Sequence, residues 1–254
     1  MMSEGNTHVR SIDRTLRIVQ ALQELSRGTV TEISNHVGLP KSTVYNHLQT
    51  LYENEYVSRS GEEYHLGLRF LEHGGYIRNQ MDIFHVAKPE VEELAAETGE
   101  LVNMLVEEHG RGVYLYRERG EQAVNLDSYI GKRQYLHSTA FGKAMLAYMA
   151  PERVDEILDK HGMISRTEHT ISDREELSQE LETIRDQGYA IDDEESLEGL
   201  RCVAAPILTQ DDDVLGAVSI SGPISRISGD RFTKEIPELL RSTTNVIEIN
   251  ITYS

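Results

Sequence analysis

The chain has 254 residues, 39% of them hydrophobic, a formal net charge of −18, one cysteine and no tryptophan. That length allows two domains, each able to bury a core. No apolar run approaches the ~20 residues needed to span a bilayer, the opening segment MMSEGNTHVR lacks a signal peptide's apolar stretch, and a single cysteine, Cys202, excludes an internal disulfide or a cysteine-rich zinc site. A cytoplasmic protein with no membrane partner is therefore expected. The acid excess at first argues against nucleic acid, since phosphate contacts need Lys and Arg. Its distribution answers the objection: Met1 to Gln80 holds 8 Lys+Arg and 9 Asp+Glu, net −1, which leaves 17 and 34, net −17, for Met81 to Ser254. Only 6 of the 25 basic residues are Lys, and with abundant Asp and Glu this composition suits a salt-rich cytoplasm such as a halophile's. In such salt, counterion release weakens, and direct base and shape readout would carry more of any DNA affinity.

In chain order, apolar Ile12, Leu16, Val19, Leu22 and Leu25 form one stripe of an amphipathic helix. Ser11 is its candidate N-cap, and Gly28 follows its last turn. Next, Val30, Ile33 and Val37, then Val44, Leu48 and Leu51, recur at helical spacing on either side of Gly38-Leu39-Pro40. Gly38 can adopt the positive φ that ends the first helix, Pro40 cannot continue it, and Lys41-Ser42-Thr43 offers hydroxyl caps to the second. Two short helices meeting at a tight turn are a helix-turn-helix signature, although an αα-hairpin without a ligand has the same pattern. In a helix-turn-helix the second helix enters the major groove and its N-terminal side chains meet base edges. With Val44, Leu48 and Leu51 facing inward, Lys41, Ser42, Thr43, Tyr45, Asn46 and His47 are the candidate DNA contacts. Tyr56 to Arg59 and Tyr64 to Leu66 read as strands around the Ser60-Gly61-Glu62-Glu63 turn, a two-stranded wing whose Arg59 and His65 are placed to meet phosphate or a minor groove.

From Gly67 onward two helices are expected, a linker out of the wing and a second beginning near Pro89. Residues 1–67 would form the winged helix-turn-helix domain, 68–85 the linker helix and 86–254 a further domain. In the last of these, Leu101 to Glu107, Gly112 to Tyr116 and Ala123 to Leu126 read as antiparallel strands. Helices are expected over Thr139 to Met149, Pro151 to Lys160 and Asp173 to Gln187. Strands follow at Tyr189 to Asp192, Cys202 to Leu208 and Val214 to Ser221, and a final helix from Arg231 to Ile249. Strands grouped before and after a block of helices indicate an α+β domain.

Small polar residues gather at Leu136 to Lys143, at Asp192 to Cys202 and at Ser219 to Pro223. The first places Ser138, Thr139 and backbone N–H groups at a helix start, which favours an anionic ligand. Ser219 and Ser221 share one face of a strand, and Cys202 begins the strand paired to it, so a small pocket between these segments is geometrically reasonable. Each feature also has a plainer reading: Ser138-Thr139 as an N-cap, Cys202 as a small buried hydrophobe, Asp192 to Glu195 as a solvated acidic loop. The ten histidines lack the i, i+4 pairing of a zinc site, and no metal or cofactor is expected. With no G-x-S-x-G elbow, P-loop, dinucleotide-binding glycine pattern or H-E-x-x-H, catalysis is not expected either.

Taken together, SIDRTLRIVQAL, GLPKSTVYNHLQTL, YHLGLRFLEHG, LHSTAFGKAMLA, GYAIDDEE, EGLRCVAAPI and VSISGPISRI make the chain similar to the IclR family of transcription regulators, in this order over nearly its whole length. The resemblance implies a winged helix-turn-helix, a linker helix and a C-terminal effector-binding domain with a GAF/profilin-like antiparallel sheet. It further implies a homodimer or dimer of dimers on palindromic promoter DNA, answering to a small organic effector. The effector positions fall on Ser138, Thr139, Ala140, Asp192, Leu200, Cys202, Ser219 and Ser221, with an apolar wall near Ala123 and Leu126 and Gln134 beside the loop. Two departures stand out. Gln134-Tyr135 replaces an apolar residue followed by proline, which suits a more polar ligand, and Tyr45-Asn46-His47 replaces an arginine-bearing recognition helix, so no operator sequence carries over. The alternatives to an effector-controlled regulator are an effector-independent DNA-binding or interaction protein and, further off, a small-molecule enzyme.

Overall fold

The computed structural model describes residues 9–253, and the chain separates into two compact units, Met1–Ile77 and Arg78–Ser254. The opening segment read for a signal peptide lies largely outside the described residues.

The first unit is built from α1 (Arg10–Leu25), β1 (Gly28–Thr29), α2 (Val30–Val37), α3 (Lys41–Glu53), β2 (Val57–Ser60) and β3 (Glu63–Leu66). Ile18 and Leu22 of α1, Ile33 of α2, and Val44 and Leu48 of α3 are fully buried in its core, each worth about 1.5–3 kcal/mol of apolar burial. The inward face of α1 differs from the expected stripe. Ile18, Ala21 and Leu22 point into the core, whereas Ile12 and Leu16 are 58% and 62% exposed, because the helix meets α2 and α3 through its C-terminal half. Ser11 does not cap it; the helix begins at Arg10 after Val9 with no side-chain cap. For α2, Thr29 and Glu32 form a reciprocal capping box, and Gly38 closes the helix at φ 67° with its N–H on the Ser34 carbonyl. Nor do the hydroxyls of Ser42 and Thr43 cap α3, which starts directly after Pro40. The wing has three strands rather than two, in the order β1-β3-β2, with Gly28 opposite Tyr64; a two-residue strand carries no alternation for a sequence to display.

The chain passes from one unit to the other within α4 (Arg69–Asn79), inside the segment expected to link two domains. α5 (Asp82–Thr98) follows. Pro89 lies in its middle rather than its first turn, a position made tolerable because His85, whose carbonyl loses its donor, is exposed. Six strands then form one antiparallel sheet in the order β6-β5-β4-β9-β8-β7: β4 (Leu101–Glu108), β5 (Arg111–Arg119), β6 (Arg133–Gln134), β7 (Ala190–Asp193), β8 (Leu200–Leu208) and β9 (Val214–Pro223). The expected strand at Ala123 to Leu126 is a loop; the third strand is the two-residue β6, paired to β5. α5 and the terminal α9 (Ile236–Thr252), entered through a π-helical turn at Arg231–Glu235, cover one face through Val91, Leu94, Ile236 and Leu240. The other face carries α6 (Ala140–Leu146), α7 (Pro151–His161) and α8 (Arg174–Gln187), packed through Leu146, Ile157 and Leu181. Asp173 caps α8 by accepting the N–H groups of Glu175 and Glu176. This is the α+β architecture expected of the chain. α6 lies against the preceding loop because Gly142 has no side chain: a Cβ there would stand 2.1 Å from the Leu136 carbonyl oxygen.

Candidate functional site

In the first unit, α3 offers its exposed side to solvent. Lys41, Ser42, Tyr45 and Asn46 are exposed, Tyr45 by 49%. Thr43 and His47 are half-buried, and the His47 Nδ1 lies 2.8 Å from the Thr15 hydroxyl on α1. His47 is thus drawn toward α1, away from the free face. Arg59, exposed in the wing, donates from Nε to the Gly61 carbonyl at 2.7 Å and stacks over Tyr64, while its two Nη groups have no partner among the described residues.

In the second unit, strand register builds a polar row. Asp192 on β7 stands opposite Cys202 on β8, which stands opposite Ser221 on β9, so three distant sequence segments present polar atoms side by side on the α6 face. This row floors a cavity of about 200 Å³, below the ~300–1,000 Å³ of clefts for drug-sized ligands, which restricts an occupant to a small molecule. Leu126, Gln134, Ser138, Thr139, Ala140 and Leu200 line it as well. Two expected residues do not. Ala123 belongs to the loop that replaced its strand, its carbonyl engaged by Arg119. Ser219 shares the face of Ser221 but is paired between Asn103 and Ala204 and is sealed from the cavity.

The cavity also takes in Tyr114, Ser128, Lys132, Phe141, Arg166 and Leu197. Arg166 had no sequence signal, since it sits in an irregular stretch after α7; its guanidinium has no partner among the described residues and brings a positive charge to the cavity. Lys132 is held by Asp127 at 2.9 Å. Tyr114 is hydrogen-bonded with Gln134, and burial pushes its phenol far up. Thr139 does not cap α6; its hydroxyl donates to the Tyr135 carbonyl at 3.0 Å. Asn103 donates from Nδ2 to the Ser221 hydroxyl at 3.5 Å.

Asp192 is 1% exposed. Its Oδ1 accepts the N–H groups of Glu195 at 2.7 Å and Ser196 at 3.2 Å, whereas Oδ2, equally buried, has no partner. Burial raises its pKa, against the lowering effect of the Ser196 hydroxyl, of those N–H groups and of Lys143, which favours the protonated form that can donate as well as accept. The Ser128 hydroxyl is likewise buried and unpartnered. Burial pushes the Cys202 thiol up, which leaves it protonated and unreactive as a nucleophile. Buried polar atoms are normally satisfied, and here they converge on one small space. Among the described residues no group of three or more His, Cys, Asp and Glu could hold a metal ion, and no helix is long and apolar enough to cross a membrane.

Comparison with known proteins places both units. Residues 11–61 match the IclR helix-turn-helix domain, and residues 75–249 match the bacterial transcriptional regulator IclR C-terminal domain. The chain is 31% identical to a probable HTH-type transcriptional regulator, ArcR, of Halobacterium salinarum, over 96% of this chain and 94% of that one. It is 36% identical to the HTH-type transcriptional regulator KdgR of Dickeya chrysanthemi, over 94% and 79%. Among solved structures, the IclR of Thermotoga maritima superposes with a TM-score of 0.77 at 28% identity, over 96% and 99% of the two chains. The likeness to a regulator from a halophile agrees with the acidic, lysine-poor composition.

Proposed function

The chain belongs to the IclR family of transcription regulators, a DNA-binding family of regulators rather than enzymes, and from that premise we propose that a small organic effector controls its hold on promoter DNA. The observation that carries this reading is the cavity floored by Asp192, Cys202 and Ser221, in which buried polar atoms without protein partners face a space suited to a small molecule. A family member from Microbacterium hydrocarbonoxydans has been solved in complex with 4-hydroxybenzoate. For this chain the lining favours a more polar effector: a sugar, sugar acid or other carboxylate, its hydroxyls bonding with Asp192, Ser221 and Gln134 and its acid end attracted by Arg166. Leu126, Ala140 and Leu200 supply apolar contact, beside the hydroxyls of Ser138 and Thr139.

On the DNA side, Lys41, Ser42, Thr43, Tyr45 and Asn46 of α3 and Arg59 of the wing make the contacts, with Asn46 suited to read adenine through its amide, while His47 braces the helix against Thr15 of α1. The protein acts in the cytoplasm as a homodimer or dimer of dimers on a palindromic site, controlling a catabolic operon. Exposed Ile12 and Leu16 on α1, with Leu71, Tyr76 and Ile77 on α4, support self-association. The effector must bind one arrangement of that assembly better than another, and this difference in affinity is what reaches the DNA, through a linker over residues 68–85.

The experiment is a melting-temperature screen of small acids, sugars and their neutral analogues, followed by mobility shift on the upstream regions of the protein's own and neighbouring genes. The expected result is a compound that raises the melting temperature of the native chain and alters its DNA affinity, with the melting shift abolished in the double variant Ser221→Ala, Asp192→Ala. An undiminished shift in that variant would assign the compound to another cavity.

A further inference from the structure

Lys143 has no exposed surface at all. It lies in α6, every residue of which is buried, and an ammonium so placed is tolerated only with close ionic partners. It has two: Nζ is 2.5 Å from Glu195 Oε1 and 3.2 Å from Glu180 Oε1 on α8. Glu195 belongs to the turn between β7 and β8. Its N–H donates to Asp192 Oδ1 and its carbonyl accepts from the Thr170 hydroxyl at 2.7 Å; its second carboxylate oxygen is buried and unpartnered. Ser196, Leu197 and Leu200, the next residues of the same turn, line the cavity, and so do Ala140 and Phe141 from the first turn of α6. The ion pair therefore ties together two walls of one cavity from behind.

We infer that Lys143 is a positioning residue of the effector site: by gripping Glu195 it keeps the turn over residues 194–200 shut against α6 and Asp192 aimed inward. The remaining tethers of the turn come from elsewhere. Arg201 holds Asp193, the Thr167 and Thr170 hydroxyls hold the Glu194 and Glu195 carbonyls, and Glu194 accepts the Gly199 N–H. Only Lys143 reaches it from α6 with a charge. The inference rests on the reading of the cavity as the effector site for its biological meaning, but its test needs no effector.

Cys202 is the chain's one cysteine, is buried and lies in the cavity, so its modification by methyl methanethiosulfonate reports opening of the wall. The full-length native chain would be labelled at several sub-denaturing urea concentrations and followed by mass spectrometry. Wild-type protein is expected to label slowly. Lys143→Met and Glu195→Gln should each label on the order of tenfold faster without urea, and with a rate nearly independent of urea, as expected of a local opening that exposes little surface. Adding Glu195→Gln to Lys143→Met should add nothing to the lysine variant, which has already lost the shared contact along with the one to Glu180. Labelling of the variants at the wild-type rate, or an increase that follows the steep urea dependence of global unfolding, would overturn the inference and leave Lys143 as a contributor to overall stability; if Lys143→Met does not fold, Glu195→Gln alone decides. Faster labelling of the variants together with no melting shift from any compound on wild-type protein would uphold the clamp and sink the effector reading.

Discussion

Replacing Asp192 separates its structural work from its ionisation. Its Oδ1 accepts two backbone N–H groups, from Glu195 and Ser196, and removing an acceptor from a buried donor costs about 1–3 kcal/mol. Ser196 is only half-buried, so Asp192→Ala should destabilise the second unit by roughly 2–4 kcal/mol, from the lower part of that range for each donor. For a domain of this size each kcal/mol moves the melting temperature by ~2–4 °C, giving a fall of roughly 5–15 °C. Asp192→Asn keeps an acceptor for both N–H groups. Burial raises the pKa of Asp192 in the folded protein, so its contribution is greatest at acid pH and is lost as the pH rises from its unfolded value through the raised one. Asparagine has no such loss. At neutral pH Asp192→Asn should therefore melt at or above wild type and Asp192→Ala well below it, with the gap between wild type and Asn closing toward acid. Calorimetry across pH, in salt at the level the host maintains, checks all three proteins. Were Asn as damaging as Ala at neutral pH, the carboxylate would have to be ionised and paired, and the account of this floor would be wrong.

Three further outcomes are expected. Asn46→Ala should weaken binding to the preferred promoter site roughly tenfold or more while leaving random DNA nearly unaffected, as the loss of one bidentate base contact requires; equal losses in mobility-shift titrations would mean that Asn46 reads no base. Gly142→Ala sets a methyl 2.1 Å from the Leu136 carbonyl oxygen and 2.4 Å from its Cα, backbone that cannot swing aside, and should cost at least about 2 kcal/mol, seen as a melting temperature lower by ~4–8 °C. Glu195 is pushed up by burial to about 7, from an ordinary 4.5, despite Lys143. The proton-dependent part of its stability is full below pH 4.5 and is lost as the pH climbs through about 7, apart from its contact with Lys143, so Glu195→Gln should flatten the fall in melting temperature over that window, and an unchanged pH slope would contradict the shift.

What could be read from the residues was whatever repeats. α2 and α3 announce themselves through apolar spacing and through Gly38 between them, and the long strands β4, β8 and β9 through apolar runs bounded by turns. β1 and β6, two residues each, have no period to detect, and the Ala123 to Leu126 segment alternates like a strand yet finds no neighbour to pair with. α1 shows how phase can mislead: Ile12 and Leu16 are as apolar as Ile18 and Leu22, and only the packing of α2 and α3 decides which pair is covered. The cavity was legible where family resemblance supplied Asp192, Cys202 and Ser221. Arg166 and Tyr114 could not be found this way, because they reach it from segments with no shared pattern. Lys143 did carry a signal, a lone cation within the otherwise uncharged run LHSTAFGKAMLA, 52 residues before Glu195, the member of the acidic DDEE that pairs with it.

The alternation along β9 has a consequence for how a message could leave the cavity. Ser219 and Ser221 look toward α6, while Val218 and Ile220, their immediate neighbours, support the helices on the reverse side. Odd-numbered positions and even-numbered ones are links of one chain, so a pull on the Ser221 hydroxyl would also tilt the aliphatic shoulder behind it. α9, which packs on β9 and in turn on α5, rests on that shoulder: the sheet is a drumskin with the cavity on one side and the terminal helix on the other.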